Sequence, residues 1–369
     1  MRILEPDYYR QFHCAADRCP DTCCSAWEVI IDDKTLDFYR QLPGRFGESV
    51  RRSLCYTDGA WMFRTKNGSC PLLTKEGLCA LQQRYGHESL CTTCQEYPRF
   101  VSEYGLFQER GLSLSCPEVC RMLLQQTEPV TFLAYENAQP LTGCHEIDGE
   151  RFLHLKTARN KAMTLAQSRD VPVAERIGGL LQYAEQLQQC IAQDDLDGMD
   201  ALCPHGLPLS HLRPNCALRT YRKWLHTLTT MEVLSPKWRD TLQMLSAQAE
   251  AIDPQVWAQE RRQYRAAADP IQAEQILVYY VYKFFLRSAY LGDVLTQMKL
   301  IAFCTIMIDA LDFSLWRTDG VLVPEKQTEL THRFARELEH SDRNWAALTR
   351  RANFTGAFST QRILELLGH

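Results

Sequence analysis

The sequence has no excess of charge of one sign, and its N-terminal stretch has no long hydrophobic run. Its 41 lysines and arginines oppose 45 aspartates and glutamates, which leaves a net charge of −4. Without a broad cationic field, a nucleic-acid partner is not indicated. The first residues contain no apolar core of signal-peptide length. We therefore expect a protein that stays in the cytoplasm.

Runs long enough to cross a membrane are also lacking. The two most apolar stretches, residues 276–286 and 300–311, are interrupted by Lys283 and Asp309. Both are shorter than the roughly 20 residues that a bilayer requires, so they are interpreted as buried helices and no membrane partner is expected. Apolar residues make up 45% of the chain, which is enough to bury a sizeable core.

Cysteine, in contrast, is abundant and unevenly placed. The chain has 16 cysteines, and 12 of them precede residue 145. Thiols stay reduced in a cytoplasm, so clustered cysteines there indicate metal binding rather than disulfides. The candidate metal ligands are Cys14, Cys19, Cys23, Cys24, Cys70, Cys79, Cys91 and Cys94.

Thiolates are soft ligands that suit both zinc and iron–sulfur clusters. A zinc site typically uses C-x2-C pairs, and within this set only Cys91 and Cys94 have that spacing. The adjacent Cys23 and Cys24 are unusual for zinc, because neighbouring side chains tend to point apart. The pattern favours an iron–sulfur cluster, with zinc and a metal-free region as the alternatives.

The fold is predicted to be mainly α, with a cysteine-rich region over residues 1–145 and a helical region over residues 146–369. The first region has short elements only, including a strand over residues 28–32 and a hairpin that turns at Tyr104-Gly105. A bound metal would supply stability that such elements lack. The second region shows helix starts in which a capping residue precedes proline, at Ser235, Asp253 and Asp269.

Four stretches of the first region give the sequence a family resemblance. They are Cys14 to Cys24 continuing to Asp32, Cys70 to Cys79, Cys91 to Arg99, and Leu114 to Pro117. On these motifs the chain resembles the flagellin lysine-N-methylase family of enterobacteria. The same region is similar to small bacterial proteins with a C-x2-C-x2-C-C motif that chelate zinc or iron, although the spacings are wider here.

The resemblance implies S-adenosylmethionine as methyl donor, lysine amines of flagellin as acceptors, and a [4Fe-4S] cluster near the cofactor. The sequence has no Gly-rich G-x-G-x-G turn after a hydrophobic strand, so a Rossmann domain is not expected. It also has no C-x3-C-x2-C run, the spacing known for radical S-adenosylmethionine enzymes. We therefore expect polar methyl transfer rather than a radical mechanism.

Methyl transfer to lysine requires the neutral amine. With an ordinary pKa near 10.4, removing the proton at neutral pH costs roughly 4 kcal/mol, so the site must desolvate the amine or offer a proton acceptor. Tyr279 and Tyr282, in the tyrosine-rich segment after Glu274, are the candidate catalytic residues. The simpler interpretation is a buried helix whose tyrosine hydroxyls are hydrogen-bonded at its edge.

Four residues near the cysteines are candidates for binding the cofactor: Asp32, Trp27, Tyr97 and Arg99. Asp32 has an equally good interpretation as the N-cap of a following helix. We expect the active centre where the cysteine-rich region meets the helices. Two other functions remain open from the sequence: a metal-stabilised interaction or chaperone module without methyltransferase activity, and a redox or iron-handling protein.

Overall fold

The computed structural model describes residues 1–25, 29–57, 59–65, 68–137, 147–209 and 214–368. The protein is mainly α, as predicted, and its few strands are short and lie in the first part of the chain. None of the sheets formed by these residues is of Rossmann type, because the larger sheet has four strands in mixed orientation.

The strands are β1 Arg2–Pro6, β2 Leu54–Thr57, β3 Ala60–Phe63, β4 Arg99–Tyr104, β5 Phe107–Leu112 and β6 Phe132–Glu136. The larger sheet has the strand order β4-β5-β1-β6. The first strand lies in its centre, parallel to β5 and antiparallel to β6. Strands β4 and β5 form the predicted hairpin, in which Tyr104 pairs with Phe107. Gly105 has a φ of +60°, a left-handed conformation that glycine adopts without strain.

A separate two-stranded sheet, β2-β3, belongs to the cysteine-rich region. Of the strand predicted over residues 28–32, the described residues form only an isolated bridge, between Ile30 and Met62 of β3. Residues 26–28 lie outside the described residues. The short helices of this region are α1 Asp33–Gln41, α2 Gly44–Ser53, α3 Ala80–Tyr85, α4 Thr92–Glu96 and α5 Pro117–Gln125.

The rest of the described chain is helical. The three predicted starts are confirmed at Pro236, Pro254 and Pro270, and the carboxylates of Asp253 and Asp269 accept hydrogen bonds from the first turns that follow them. The helices are α6 Gly149–Ala166, α7 Val173–Ala192, α8 Leu196–Ala201, α9 Pro214–Thr229, α10 Pro236–Ala251, α11 Pro254–Ala267, α12 Pro270–Phe284, α13 Ser288–Leu291, α14 Val294–Asp319, α15 Pro324–Glu339, α16 Asp342–Phe354 and α17 Thr360–Leu367.

The described residues form two hydrophobic cores. The smaller core, which we call the cysteine-side core, contains only residues between Val29 and Cys94, including Leu36, Tyr39 and Leu81. The larger core joins the helices to the sheet hairpin and to α5. The strands around residues 99–136 therefore pack with the helical region. The boundary near residue 145 stays a prediction, although the cores divide the chain earlier.

Helix α14 is the one helix among the described residues that is long and apolar enough to cross a membrane. However, 83% of its most apolar window is buried inside the protein. It packs against α7, α12 and α15 as the central helix of the larger core. This placement agrees with the interpretation of residues 300–311 as a buried helix.

Candidate active site at the junction of the two regions

Several of the predicted metal ligands come together beside the cysteine-side core. The loop that carries Cys23 and Cys24 is tied to the second group, because the Cys70 amide donates to the Cys24 carbonyl at 2.7 Å. The Cys24 side chain hydrogen-bonds to both Cys23 and Cys79. Cys91 and Cys94 form a second hydrogen-bonded pair at the start of α4.

These hydrogen bonds shift the acidities of the thiols in opposite directions. The hydrogen bond with Cys24 lowers the pKa of Cys23 to about 7 and that of Cys79 to about 6. The same bonds raise the pKa of Cys24 far above its ordinary value. Thiolate character near neutral pH is what a metal ligand needs.

Cys14 and Cys19 lie near Cys116. Burial raises the pKa of both Cys19 and Cys116, and nearby thiols add to it: Cys14 and Cys23 for Cys19, and Cys19 and Cys14 for Cys116. Among the described residues, no three cysteine, histidine or acidic side chains already have the geometry of a formed metal site. The structure thus brings the thiols near one another while leaving the choice of ligands a prediction.

A cleft of about 360 Å³ opens between the cysteine-bearing helix and the helical region. One wall comes from α4 and β4, and the other from α12 and α15. It is lined by Thr93, Glu96, Tyr97, Pro98, Arg99, Phe100, Val101, Ser102, Ser113, Lys283, Arg287, Glu339 and His340. Two of the predicted cofactor residues, Tyr97 and Arg99, lie here, three and five residues after Cys94.

A buried carboxylate, Glu339, lies at the base of this cleft. Its side chain is 4% exposed. It accepts hydrogen bonds from the Ser113 hydroxyl at 2.5 Å, from the Tyr279 hydroxyl at 3.0 Å and from the Lys283 ammonium at 2.5 Å. Glu339 ends α15 while Tyr279 and Lys283 lie one turn apart on α12, so the packing of two helices creates the cluster.

A chain of hydroxyls leads away from the carboxylate. Ser113 is 2.6 Å from Ser115, whose oxygen lies 2.7 Å from Nε2 of His340 and 3.2 Å from the Tyr97 hydroxyl. Burial lowers the pKa of His340 to about 4, so its imidazole is neutral at physiological pH. Such a chain can carry a proton between the carboxylate and the imidazole.

The Lys283 ammonium is also surrounded by aromatic rings. Its Nζ lies 4.5 Å from the ring centre of Phe100, 5.5 Å from that of Tyr279 and 5.7 Å from that of Phe284. The negative faces of such rings attract cations. Burial lowers the pKa of Lys283, while the charge of Glu339 acts in the opposite direction. We call these three rings with Glu339 the lysine cage.

Two arginines border the same cleft without an ion pair to any residue in the described parts of the chain. Arg99 lies over the rings of Tyr9 and Phe12, and Arg287 lies over Phe284 and Trp345. Arginine side chains favour bidentate pairing with carboxylates. They can therefore hold the carboxylate of a ligand in the cleft.

The other predicted site residues are placed differently. Asp32 caps α1 by accepting from the Thr35 amide at 3.0 Å, and it also accepts from the amide and hydroxyl of Thr92. Burial alone would raise its pKa, but these hydrogen bonds lower it to about 2. Asp32 therefore makes the contacts of a helix-capping residue, which was the alternative to cofactor binding. Trp27 lies outside the described residues.

Tyr282 lies away from the cleft. Its hydroxyl is 2.9 Å from the carbonyl oxygens of both Leu4 and Arg110, in the neighbouring strands β1 and β5. Tyr279 and Tyr282 thus separate into one residue within the Glu339 cluster and one that joins α12 to the sheet. The structure does not bring the two hydroxyls to one site.

Glu339, Ser113 and His340 were not identified from the sequence. Ser113 and Glu339 lie 226 residues apart, and no motif spacing joins a loop after β5 to the end of α15. One signal was available for Lys283, since it is the charge that interrupts the apolar stretch 276–286. A buried charge needs a partner, and a search for that partner would have pointed to an acidic residue on a neighbouring helix.

The protein is mainly helical and has a cleft in which a buried carboxylate pairs with an ammonium, an arrangement that suits an enzyme acting on a cationic group. Residues 159–366 match the family described as FliB lysine N-methylase C-terminal domain. This match covers more than half of the chain, so the protein belongs to the FliB lysine N-methylase family. The family resemblance drawn from the cysteine motifs is confirmed.

Curated relatives agree with this assignment. Over 135 residues, or 35% of the chain, it is 27% identical to the flagellar biosynthetic protein FliU of Salmonella muenchen, covering 80% of that protein. It is also 27% identical to the lysine-N-methylase of Salmonella typhimurium and to that of Salmonella choleraesuis. The chain aligns with only 34% of the length of each of these two enzymes. No solved structure matches it significantly.

Proposed function

We propose that this protein transfers methyl groups from S-adenosylmethionine to lysine side chains of flagellin in the cytoplasm, and that its cysteines hold an iron–sulfur cluster. Family membership supports lysine methylation, and the relative named as a flagellar biosynthetic protein supports a flagellar substrate. The observation that carries the proposal is the junction cleft, in which a buried carboxylate already holds a lysine ammonium.

The chemistry follows from the groups around Glu339. An acceptor lysine that enters the cleft leaves water and meets an apolar wall, which makes loss of its proton easier. Glu339 can take that proton, and the hydrogen-bonded chain through Ser113, Ser115 and His340 offers it a route away from the amine. A methyl donor bound in the same cleft would meet the amine from one direction only.

Residues suited to binding S-adenosylmethionine and an iron–sulfur cluster are both present. S-adenosylmethionine supplies a methyl group on a positively charged sulfur, and its carboxylate suits Arg99 and Arg287. The soft, partly ionised thiols beside α4 suit an iron–sulfur cluster. Held there, a cluster would stabilise the cysteine-side core, against which Cys70, Cys79 and Cys94 already pack.

The proposal is tested with protein purified without oxygen and incubated with S-adenosylmethionine and flagellin. Mass spectrometry should find methyl groups on flagellin lysines, and Glu339→Gln should lower the rate by on the order of 100-fold or more, as loss of a proton acceptor does. Glu329→Gln is the matched control. It lies on the same helix, is half exposed and pairs with Arg333 on the surface.

Cofactor binding is measured in parallel with the same preparations. The protein should bind S-adenosylmethionine saturably and contain iron and acid-labile sulfide in comparable amounts. Flagellin left unmodified by metal-replete protein that binds the cofactor would refute the proposed activity. Stoichiometric zinc without iron would refute the cluster.

A further inference from the structure

The strongest unexplained feature of the cleft is that the protein's own lysine occupies the position suited to an acceptor. Lys283 reaches the carboxylate of Glu339 from α12, and its side chain remains 12% exposed at the cleft wall. A lysine within the chain is not needed to recognise a lysine of another protein. The surroundings of Lys283 show what kind of group the cleft is built to hold.

The contacts of the Lys283 nitrogen resemble those expected for a bound lysine or methyl-lysine. Rings of Phe100, Tyr279 and Phe284 surround it, and aromatic cages of this kind recognise alkylated ammonium groups. Within the described residues, its hydrogen-bond acceptors are Glu339 and the Tyr279 hydroxyl. One N–H direction is therefore left without a protein acceptor.

The neighbours of Lys283 hold its nitrogen in one place. The Tyr279 oxygen accepts from the Leu114 amide at 3.1 Å and from Lys283 at 3.0 Å, and its hydroxyl donates to Glu339. All of its hydrogen-bonding positions are used, so the tyrosine cannot rotate without breaking a bond in a buried site. The amine is thereby fixed next to a base and beside open space.

We propose that Lys283 is itself a methyl acceptor, so that the protein methylates the lysine held in its own lysine cage. This inference rests on the proposed methyl-transfer activity. The Lys283 ammonium gives one proton to Glu339, and its freed electron pair forms a bond to the methyl carbon. The carbon–sulfur bond breaks, the pair returns to sulfur as a neutral thioether, and the proton leaves through the hydroxyl chain. A methylated Lys283 keeps its charge and its attraction to the rings.

The experiment uses the full-length protein, purified without oxygen and incubated with S-adenosylmethionine in the absence of flagellin. Cleavage before aspartates releases the segment from Asp269 to Gly292, in which Lys283 is the single lysine. Mass spectrometry should find one or more added methyl groups on this peptide, at up to one modified lysine per chain. Replacing Lys283 by arginine should remove the signal.

Lys299 provides an internal control within the same digest. Its segment, from Asp293 to Ile308, also contains one lysine. Burial lowers the pKa of Lys299 as it does that of Lys283, but Lys299 donates to the Ala352 carbonyl and does not contact Glu339. It should stay unmodified. Methylation of both lysines at similar rates would show nonspecific reaction and overturn the assignment.

The outcomes separate this inference from the proposed function. Methylated flagellin together with unmodified Lys283 would refute self-methylation and leave the proposed function standing. Methylated Lys283 together with unmodified flagellin would support self-methylation and refute flagellin as substrate. Absence of both signals from metal-replete protein that binds the donor would refute both. Glu339→Gln should lower modification of Lys283 at least 10-fold, whereas Glu329→Gln should leave it unchanged.

Discussion

Tyr279 and Tyr282 are three residues apart on one helix, yet they belong to different environments. The Tyr279 hydroxyl is part of the Glu339 cluster, and that of Tyr282 reaches carbonyl oxygens in the sheet. Burial raises the pKa of both far above its ordinary value, so neither phenol ionises near neutral pH. Any role of these tyrosines in turnover is therefore one of positioning through hydrogen bonds.

We expect the phenylalanine variants of the two tyrosines to differ. Tyr279→Phe leaves the Leu114 amide and the Lys283 ammonium each without one acceptor, so turnover should fall by roughly 10-fold or more and the free energy of unfolding by about 1–3 kcal/mol. Tyr282→Phe should lower stability by about 1 kcal/mol and slow turnover much less. Methylation rates and thermal unfolding of both variants provide the comparison. Equal losses of activity in the two variants would contradict the different roles assigned to the two hydroxyls.

At the scale of elements, Asp32 connects two short helices. It caps α1 through Thr35 and holds the first turn of α4, which carries the Cys91 and Cys94 thiols, through Thr92. Neither helix is long enough to be stable alone, since α1 has nine residues and α4 has five. The capping carboxylate therefore sets how the thiols are presented.

Replacing Asp32 by alanine should destabilise the cysteine-side region by about 1–2 kcal/mol, because a capping residue is lost together with a bond to a second helix. The protein should also retain less iron after purification. Asp33→Ala is the matched control, since Asp33 is exposed, lies one residue later and makes no capping bond. Iron content and thermal unfolding are the measurements. Equal iron loss in both variants would argue against a role for the cap.

Helix α14 carries a buried acid that gives a separate test at this scale. Burial raises the pKa of Asp312 from its ordinary value of 3.8 to about 7, against the effect of a hydrogen bond from Gln327. The nearby charge of Asp309 acts in the same direction as burial, although Asp309 is itself paired with Arg261. The folded protein therefore binds this proton more tightly than the unfolded chain does.

The stabilisation from Asp312 should be complete below about pH 4 and should be lost as the pH rises through 7. Asp312→Asn cannot ionise and keeps an acceptor for Gln327. The Tm of the variant minus that of the wild type should accordingly rise between pH 5 and pH 8. Thermal unfolding of both proteins across this pH range measures the difference in Tm. A difference that stays constant with pH would show that Asp312 ionises normally in the folded protein.

Across the whole molecule, local signals in the sequence predicted the elements better than the site. Cap-and-proline pairs placed the starts of α10, α11 and α12, and the turn at Gly105 placed the hairpin, because each depends on adjacent residues. The junction of the two regions was expected, and a cleft lies there. Glu339 was missed because its role depends on how α15 packs against α12, which no local pattern encodes.

If the cysteines hold the proposed cluster, the two hydrophobic cores should depend on it unequally. The cysteine-side core is built from a few short elements between Val29 and Cys94, whereas the larger core is continuous through the helices and the hairpin. A small core supplies little net stability unless a metal or a disulfide adds to it. Its described cysteines are free thiols, so under the proposed function this contribution would come from the cluster.

Loss of the metal should therefore loosen one region and leave the other folded. Cys91→Ser removes a buried thiol of the cysteine-side core, and hydrogen exchange measured by mass spectrometry should show faster exchange over residues 33–57 and 80–96. Helices α12 and α14 should keep their protection from exchange. They belong to the larger core, which contains no residue from 33–57 or 80–96. Cys190→Ser, in α7 and half exposed, is the control and should change neither region. Uniformly faster exchange throughout the Cys91→Ser variant would show that the two cores unfold as one unit and that the metal supports the whole protein.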